Sequence, residues 1–253
     1  MMRILLTNDD GIRAKGLSAL YEAIKEIAEV IVVAPETEQS AVGHAITLSD
    51  PLRVKELKNN DGPFGYAVNG TPADCVKIAI KAIMERPPNL IISGINLGPN
   101  MGTDVIYSGT ISAATEGTIL GITSFAISLD TFKYPDFSYA ASFAKRLALV
   151  VMEKGLPRGT SLNVNIPAVP EDKIRGVGIT RQGKSRFVED FDKRVDPRNH
   201  VYYWQTGKVI TEDMDVGADR VAVNNNMVSI TPIQCDLTDY KSLEELKREM
   251  KGL

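Results

Sequence analysis

Hydrophobic and polar positions along this chain follow two rhythms, and the change falls near residue 180. "RILLT" (3–7) and "EVIVVAP" (29–35) are unbroken apolar runs of the kind that form parallel strands covered on both faces. Between them Leu17, Leu20, Ile24 and Ile27 recur at helical spacing, which predicts an amphipathic helix over roughly 15–28. "LRVKEL" (52–57) and "FGYAV" (64–68) alternate more and predict a half-exposed strand pair. Thr71-Pro72-Ala73-Asp74 reads as a helix start: a capping hydroxyl, a proline in the first turn and an acid three residues on. The helix it opens is expected to bury Cys75, Ile78, Ala79 and Ile83. "NLIISG" (89–94), "SFAISL" (124–129) and "SLNVNIP" (161–167) predict further buried strands, with helices over 109–121 and 137–154 between them. This alternation predicts an α/β fold built on a doubly wound, mostly parallel, Rossmann-like sheet.

Beyond residue 180 the texture is different. "RQGKSRFVEDFDKRVDPRNH" (181–200) is charged, with few apolar residues to anchor it. "VYYWQTG", "VAV" (221–223) and "MVSITPIQC" read as antiparallel strands, and Ser242 to Glu245 as the cap of a short final helix. The expected division is an α/β core at 1–180 and a C-terminal β-arm and helix at 181–253. The second piece is too polar to fold alone and suits an oligomerisation extension.

Charge and cysteine content narrow the partners. Lys+Arg number 29 and Asp+Glu 32, a net charge of -3, so no basic excess remains for a nucleic-acid polymer. The two cysteines, Cys75 and Cys235, each sit in an apolar segment, which fits a reduced intracellular protein. The apolar run at the start is too short for a signal peptide, and no stretch approaches membrane-spanning length. A soluble, cytoplasmic protein without a membrane partner is expected.

Ligands of open α/β sheets bind beyond the carboxyl ends of the strands. Three predicted strand ends carry polar clusters: Asn8-Asp9-Asp10-Gly11, the loop "ETEQSAVGH" with Ser40 and His44, and "GINLGPNMGTDVIYSGT" with Asn96 and Asn100. Adjacent carboxylates such as Asp9 and Asp10 repel unless they point apart or share a cation. Carboxylate, hydroxyl and amide oxygens together suit a hard cation, whereas two histidines (His44 and His200) do not make a histidine-rich zinc site. Ser108, Gly109 and Thr110 open a predicted helix, where unpaired amides and the helix dipole favour an anion. A cation beside an anion pocket is the arrangement for phosphate-ester hydrolysis, because the cation polarises the phosphoryl oxygen and acidifies a bound water. Each piece also has a structural role open to it: turn former for the aspartates, helix cap for Ser108, hydrogen bonding within its own loop for His44. Neither G-x-G-x-x-G nor G-K-[ST] occurs, so dinucleotide and Walker-type sites do not follow. No general acid for the leaving group stands out.

"TNDDG", "APETEQSAVGHAITL", "NGTPADCVKIAI" and "SGINLGPNMGTDVIYSGTISAATEG", in this order, resemble the survival protein E (SurE) family of metal-dependent nucleotidases. Where many relatives have "RSG-S-H", this chain has "QSAVGH" and keeps Ser40. The resemblance implies a divalent-metal-dependent 5'-nucleotidase that hydrolyses nucleoside 5'-monophosphates through a metal-activated water, with 3'-nucleotides or short polyphosphate as further substrates. It implies one cation per subunit, magnesium or manganese, held by Asp9, Asp10, Ser40 and Asn96, with Asp9, Asp10 and Asn96 catalytic. Asn100, Ser108, Gly109 and Thr110 would meet the substrate phosphate. A homodimer or homotetramer, assembled by exchange of C-terminal segments, is also implied. The alternative is a metal- and nucleotide-binding sensor without turnover.

Overall fold

The computed structural model describes residues 2–59, 62–133, 136–212 and 215–251. Residues 252 and 253, at the end of the expected extension, lie outside the described residues. The central element is β1 (Arg3–Thr7), which pairs in parallel with β2 (Glu29–Pro35) on one side and β5 (Leu90–Leu97) on the other. Outward from β2 come β4 (Gly62–Val68), parallel, and β3 (Val54–Asn59), antiparallel to β4. Outward from β5 come β6 (Ser124–Asp130) and β7 (Thr160–Pro167), both parallel. β11 (Val228–Gln234) adds antiparallel to β7, and β8 (Val177–Ile179) closes that edge. The result is a mostly parallel nine-stranded sheet in the order β3-β4-β2-β1-β5-β6-β7-β11-β8.

Two-residue periodicity along β1 splits the core into two layers. Ile4 and Leu6 face α1 (Lys15–Ile24) and α4 (Ser138–Lys154), whose Leu17, Leu20, Phe143 and Val151 join that layer. Leu5 faces the other way, with Cys75 and Val76 of α2 (Pro72–Ile78) and Ala113 of α3 (Gly109–Ile119). Each such fully buried leucine or isoleucine contributes about 1.5–3 kcal/mol. Both faces of the strands are covered, which is why they carry no polar alternation.

Several local expectations need correction. The first helix stops at Ile24 because the Ile27 and Ala28 amides fold back onto the Ile24 carbonyl to turn the chain into β2. α2 has the expected capping box: the Thr71 hydroxyl accepts from the Asp74 amide (3.1 Å), and the Asp74 carboxylate accepts from the Thr71 amide (3.0 Å). It then widens into a π turn (Ala79–Ile83) that breaks the helical spacing; Cys75 and Ala79 are buried, while Ile78 and Ile83 are only partly so. Cys235 is exposed.

The charged stretch after residue 180 supplies β9 (Ser185–Val195), paired antiparallel with β10 (Val201–Thr211) in a ribbon separate from the sheet. "VAV" is not a strand; it lies in α5 (Asp219–Asn224). Its Asp219 carboxylate, fully buried, accepts from the Gly102 (2.9 Å) and Gly183 (3.0 Å) amides and pins the segment as a turn of helix. The final helix α6 (Tyr240–Glu249) is capped by Asp239, not Ser242, whose hydroxyl instead donates to that Asp239 carboxylate. Among the described residues no helix is long and apolar enough to cross a membrane.

Candidate functional site

β1 delivers Asn8, Asp9 and Asp10 to the carboxyl edge of the sheet. Gly11 then turns the chain at φ +93°, a conformation costly for residues with a Cβ, and its carbonyl accepts from the Asn8 side-chain Nδ2 (3.0 Å). The two carboxylates diverge. Asp9, 4 % exposed, accepts a short hydrogen bond from the Thr110 hydroxyl and faces the first amides of α3. Asp10 accepts from the Leu97 amide (3.1 Å) at the end of β5. α3 reaches Asp9 this closely because residue 109 is glycine: a Cβ there would lie 2.8 Å from the Asp9 Cβ and 3.0 Å from its Oδ2.

Burial pushes the Asp9 carboxyl above its usual range, opposed in part by the Thr110 hydroxyl and the Thr110 and Gly109 amides. Asp10 is pushed up to about 6, first by burial, then by the neighbouring Asp9 charge, with Glu38 adding to it. Among the described residues no basic side chain offsets either acid. Negative charge is concentrated here without a protein counter-ion.

β5 shifts register on β6 between Ser93 and Asn96, around a cis Gly94–Ile95 peptide. Asn96 donates its amide to the Gly98 carbonyl (2.7 Å), leaving Oδ1 as the acceptor. Asn100 is held from behind by β7. The Asn165 carboxamide accepts from the Asn100 amide (2.9 Å) and donates to its carbonyl (3.0 Å), and Asn163 donates to the same carbonyl (2.8 Å). The Asn100 side chain donates to Ser128 (2.9 Å). Ser108 caps α3, its hydroxyl accepting from the Ile111 amide (3.1 Å). Ser40 stands in the segment between β2 and β3, its hydroxyl donating to Glu38 (2.7 Å).

Asp9, Ser40, Asn96, Asn100 and Ser108 line one wall of a cleft of about 980 Å³. Arg186, Phe187, Glu189, Gln205 and Val209 of the β9–β10 ribbon, with Phe132 and Arg220, form its second wall. Of the expected site residues, Asp10 is not among those lining this cleft and has its oxygen on Leu97, and Thr110 is fully buried with its hydroxyl engaged by Asp9. The anion that the start of α3 faces is therefore the Asp9 carboxylate. Among the described residues no three His, Cys, Asp or Glu side chains gather as a metal cluster; the donors are two carboxylates with hydroxyl and amide oxygens.

His44 does not bond within its own loop. Its Nε2 meets Glu116 of α3 (2.9 Å), and Lys77 of α2 reaches the other Glu116 oxygen (2.6 Å). The His44 hydrogen bond, ahead of the Lys77 contact, holds the buried Glu116 carboxyl below its usual range. Asn163, Asn165 and Glu116 were not expected at the site from sequence. A signal for the first two was present: "NVN" places two amides on one face of a strand otherwise apolar.

Fold and site together define a doubly wound α/β protein with an acidic, oxygen-rich cleft at its carboxyl edge and a helix N-terminus against it. Residues 4–189 match the family described as Survival protein SurE, and the chain belongs to the SurE family. A protein named 5'-nucleotidase SurE from Syntrophobacter fumaroxidans is 54% identical over 245 residues, covering 97% of this chain and 98% of its own. One of the same name from Syntrophus aciditrophicus is 53% identical over 97% of this chain and 93% of its own. The crystal structure of the SurE protein from Aquifex aeolicus superposes with a TM-score of 0.85 at 41% identity, covering 98% of this chain and 99% of that one.

Proposed function

We propose that the cleft is the active site of a metal-dependent phosphatase acting on nucleotides. The chain is a 5'-nucleotidase: relatives carrying that name match it at 53% and 54% identity over nearly their whole length. The observation that carries the location of the site is the carboxylate pair at the end of β1, Asp9 buried and Asp10 partly so, with no basic side chain among the described residues offsetting either, beside the start of α3.

The residues present fit a divalent cation. Asp9 and Asp10 supply the charge, and the Ser40 hydroxyl and the Asn96 Oδ1 complete an all-oxygen set suited to magnesium or manganese, one per subunit. When bound, such a cation supplies Lewis-acid polarisation of the phosphoryl oxygen and lowers the pKa of water. Thr110 orients Asp9 through its hydroxyl, so its effect on phosphate passes through that carboxylate. Ser108 and Asn100, which line the cleft, are the groups we assign to the substrate phosphate together with the neighbouring Gly109 main chain, and the Asn163–Asn165 pair fixes Asn100 against β7. The nucleoside then extends toward Phe132 and the ribbon wall. Nucleoside 5'-monophosphates are the principal substrates, with 3'-nucleotides and short polyphosphate as further ones. A cytoplasmic homodimer or homotetramer is the assembly we expect, with the 181–253 extension joining subunits to the 1–180 cores.

Phosphate release from a panel of nucleoside monophosphates, with and without chelator, tests this. Turnover that stops on chelation and returns with magnesium or manganese supports it. Metal-dependent binding of nucleotide without phosphate release would make the protein a sensor instead.

A further inference from the structure

We propose that His44 is a positioning residue of the metal site: clamped to Glu116, it fixes the segment that carries Ser40 against the helix that faces Asp9. This rests on the metal-site assignment above and adds to it the device that holds one ligand in place.

The segment 36–53 joins β2 to β3 without regular structure, and none of its side chains is buried. Apolar contact therefore does not hold the part around Ser40, only Leu52 near the end packing partly buried against the core, and a loop this long without its own elements usually serves a site. Hydrogen bonds hold it instead. The Gln39 amide donates to the Asp9 carbonyl (2.8 Å) and the Gly43 amide to the Tyr107 carbonyl (2.9 Å). On the far side Thr71 donates to the Ala45 carbonyl (2.7 Å), and the Thr47 amide (3.0 Å) and hydroxyl donate to Asp74. Those later contacts anchor the segment to α2. His44 supplies its side-chain bond to α3.

Glu116 sits two turns along the helix whose first residues touch Asp9, so the clamp ties the Ser40 segment and the Asp9 contact to one rigid body. A carboxylate only accepts, so His44 Nε2 carries the proton and donates. Lys77 occupies the other Glu116 oxygen and keeps the carboxylate oriented toward the loop. Such an outer contact acts on metal affinity through ligand placement.

The test uses the full chain and the variants His44→Ala and His44→Gln, the second keeping an N–H donor for Glu116. Melting temperature is followed against added Mg2+ or Mn2+ alone, and turnover of a nucleoside monophosphate is followed against the same metals. For His44→Ala the half-saturating metal concentration should rise about 10–100-fold in both assays, with kcat reduced and KM for nucleotide within about twofold. His44→Gln should return the metal half-saturation to within about threefold of the parent. In chelator His44→Ala should melt below the parent, because the buried Glu116 carboxylate loses a partner, so the metal half-saturation is read from the shift each protein shows over its own melt in chelator. Parent-like metal half-saturation in His44→Ala overturns the proposal, as does a His44→Gln no better than alanine. A parent with no metal response at all sinks the metal-site assignment itself, which separates that failure from this one.

Discussion

The two walls of the cleft are built on opposite plans. The wall of Asp9, Asn96, Asn100 and Ser108 grows from strand ends and a helix start, and its polar groups are pinned by buried partners such as Thr110, Asn163 and Asn165. The second wall comes from a two-stranded ribbon outside the sheet, which rests at its root where Thr103 donates to the Ser185 carbonyl (3.3 Å). Phe191, Tyr203 and Trp204 of that ribbon are exposed, Trp204 by 58%. A lone ribbon is marginally stable in water. The proposed site thus puts chemistry needing ångström placement on the over-determined wall and leaves what tolerates variation to the other.

The sharpest way to break this contrast is at Asp9. Asp9→Asn keeps size but removes a charge from the donor set and weakens the pairing with Thr110. Turnover at saturating metal should fall at least about 100-fold, beyond what outer-sphere changes cost. Steady-state kinetics of variant and parent at matched metal would decide it. A loss under tenfold would move the chemistry away from this wall.

Asn165→Leu comes next. It leaves the Asn100 amide without its partner inside the protein and removes one of two donors to the Asn100 carbonyl. An unsatisfied buried group costs about 1–3 kcal/mol, and turnover should drop with it as Asn100 shifts. Urea unfolding and kinetics on the same preparation check both. A variant that loses stability with unchanged turnover would make the amide pair structural alone.

Strand ends and glycine-rich runs were legible because local chemistry announces them. β1 and β2 follow from unbroken apolar runs, and the α2 start follows from a capping box realised with the expected partners. What sequence misplaced depends on distant partners. Val221, Ala222 and Val223 have strand-like propensity, but all three are buried and Asp219 pins them into a helix through amides from residues 102 and 183. Ser242-x-x-Glu245 imitates a capping box, yet Asp239 lies earlier and takes the first amides. Likewise nothing near His44 names Glu116, 72 residues on, as its partner.

Acid–base linkage sharpens the contrast within the first wall. Folding raises the Asp10 carboxyl to about 6, and raises Asp9 as well, above the ordinary aspartate range. Over that window the folded protein binds more protons than the unfolded chain, so these groups make stability fall as pH rises from about 4 toward 6 and beyond. Asp10→Asn removes its own share and relieves its neighbour. In chelator, the melting-temperature gap between Asp10→Asn and the parent should widen in favour of the variant as pH rises. Added magnesium or manganese should reverse the gap at neutral pH, because the parent alone gains the full cation-binding energy. Parallel curves for the two proteins would show that Asp10 contributes no such linkage and takes no part in holding a cation.

The smallest effect on chemistry is expected on the ribbon, where the comparison can be tested without touching the cleft. Tyr202 and Trp204 are exposed, lie on the ribbon face opposite Phe187, Glu189 and Gln205, and are not among the residues that line the cleft. If the ribbon meets another copy of the chain, replacing both with serine removes apolar contact area and should shift the assembly toward smaller particles in light scattering. Turnover per subunit should stay within about twofold, since the pinned wall is intact. A variant that remains the parent's size would assign the assembly contact to other surfaces. Unchanged size with lost turnover would instead make the ribbon part of the site, and the two walls would no longer be separable.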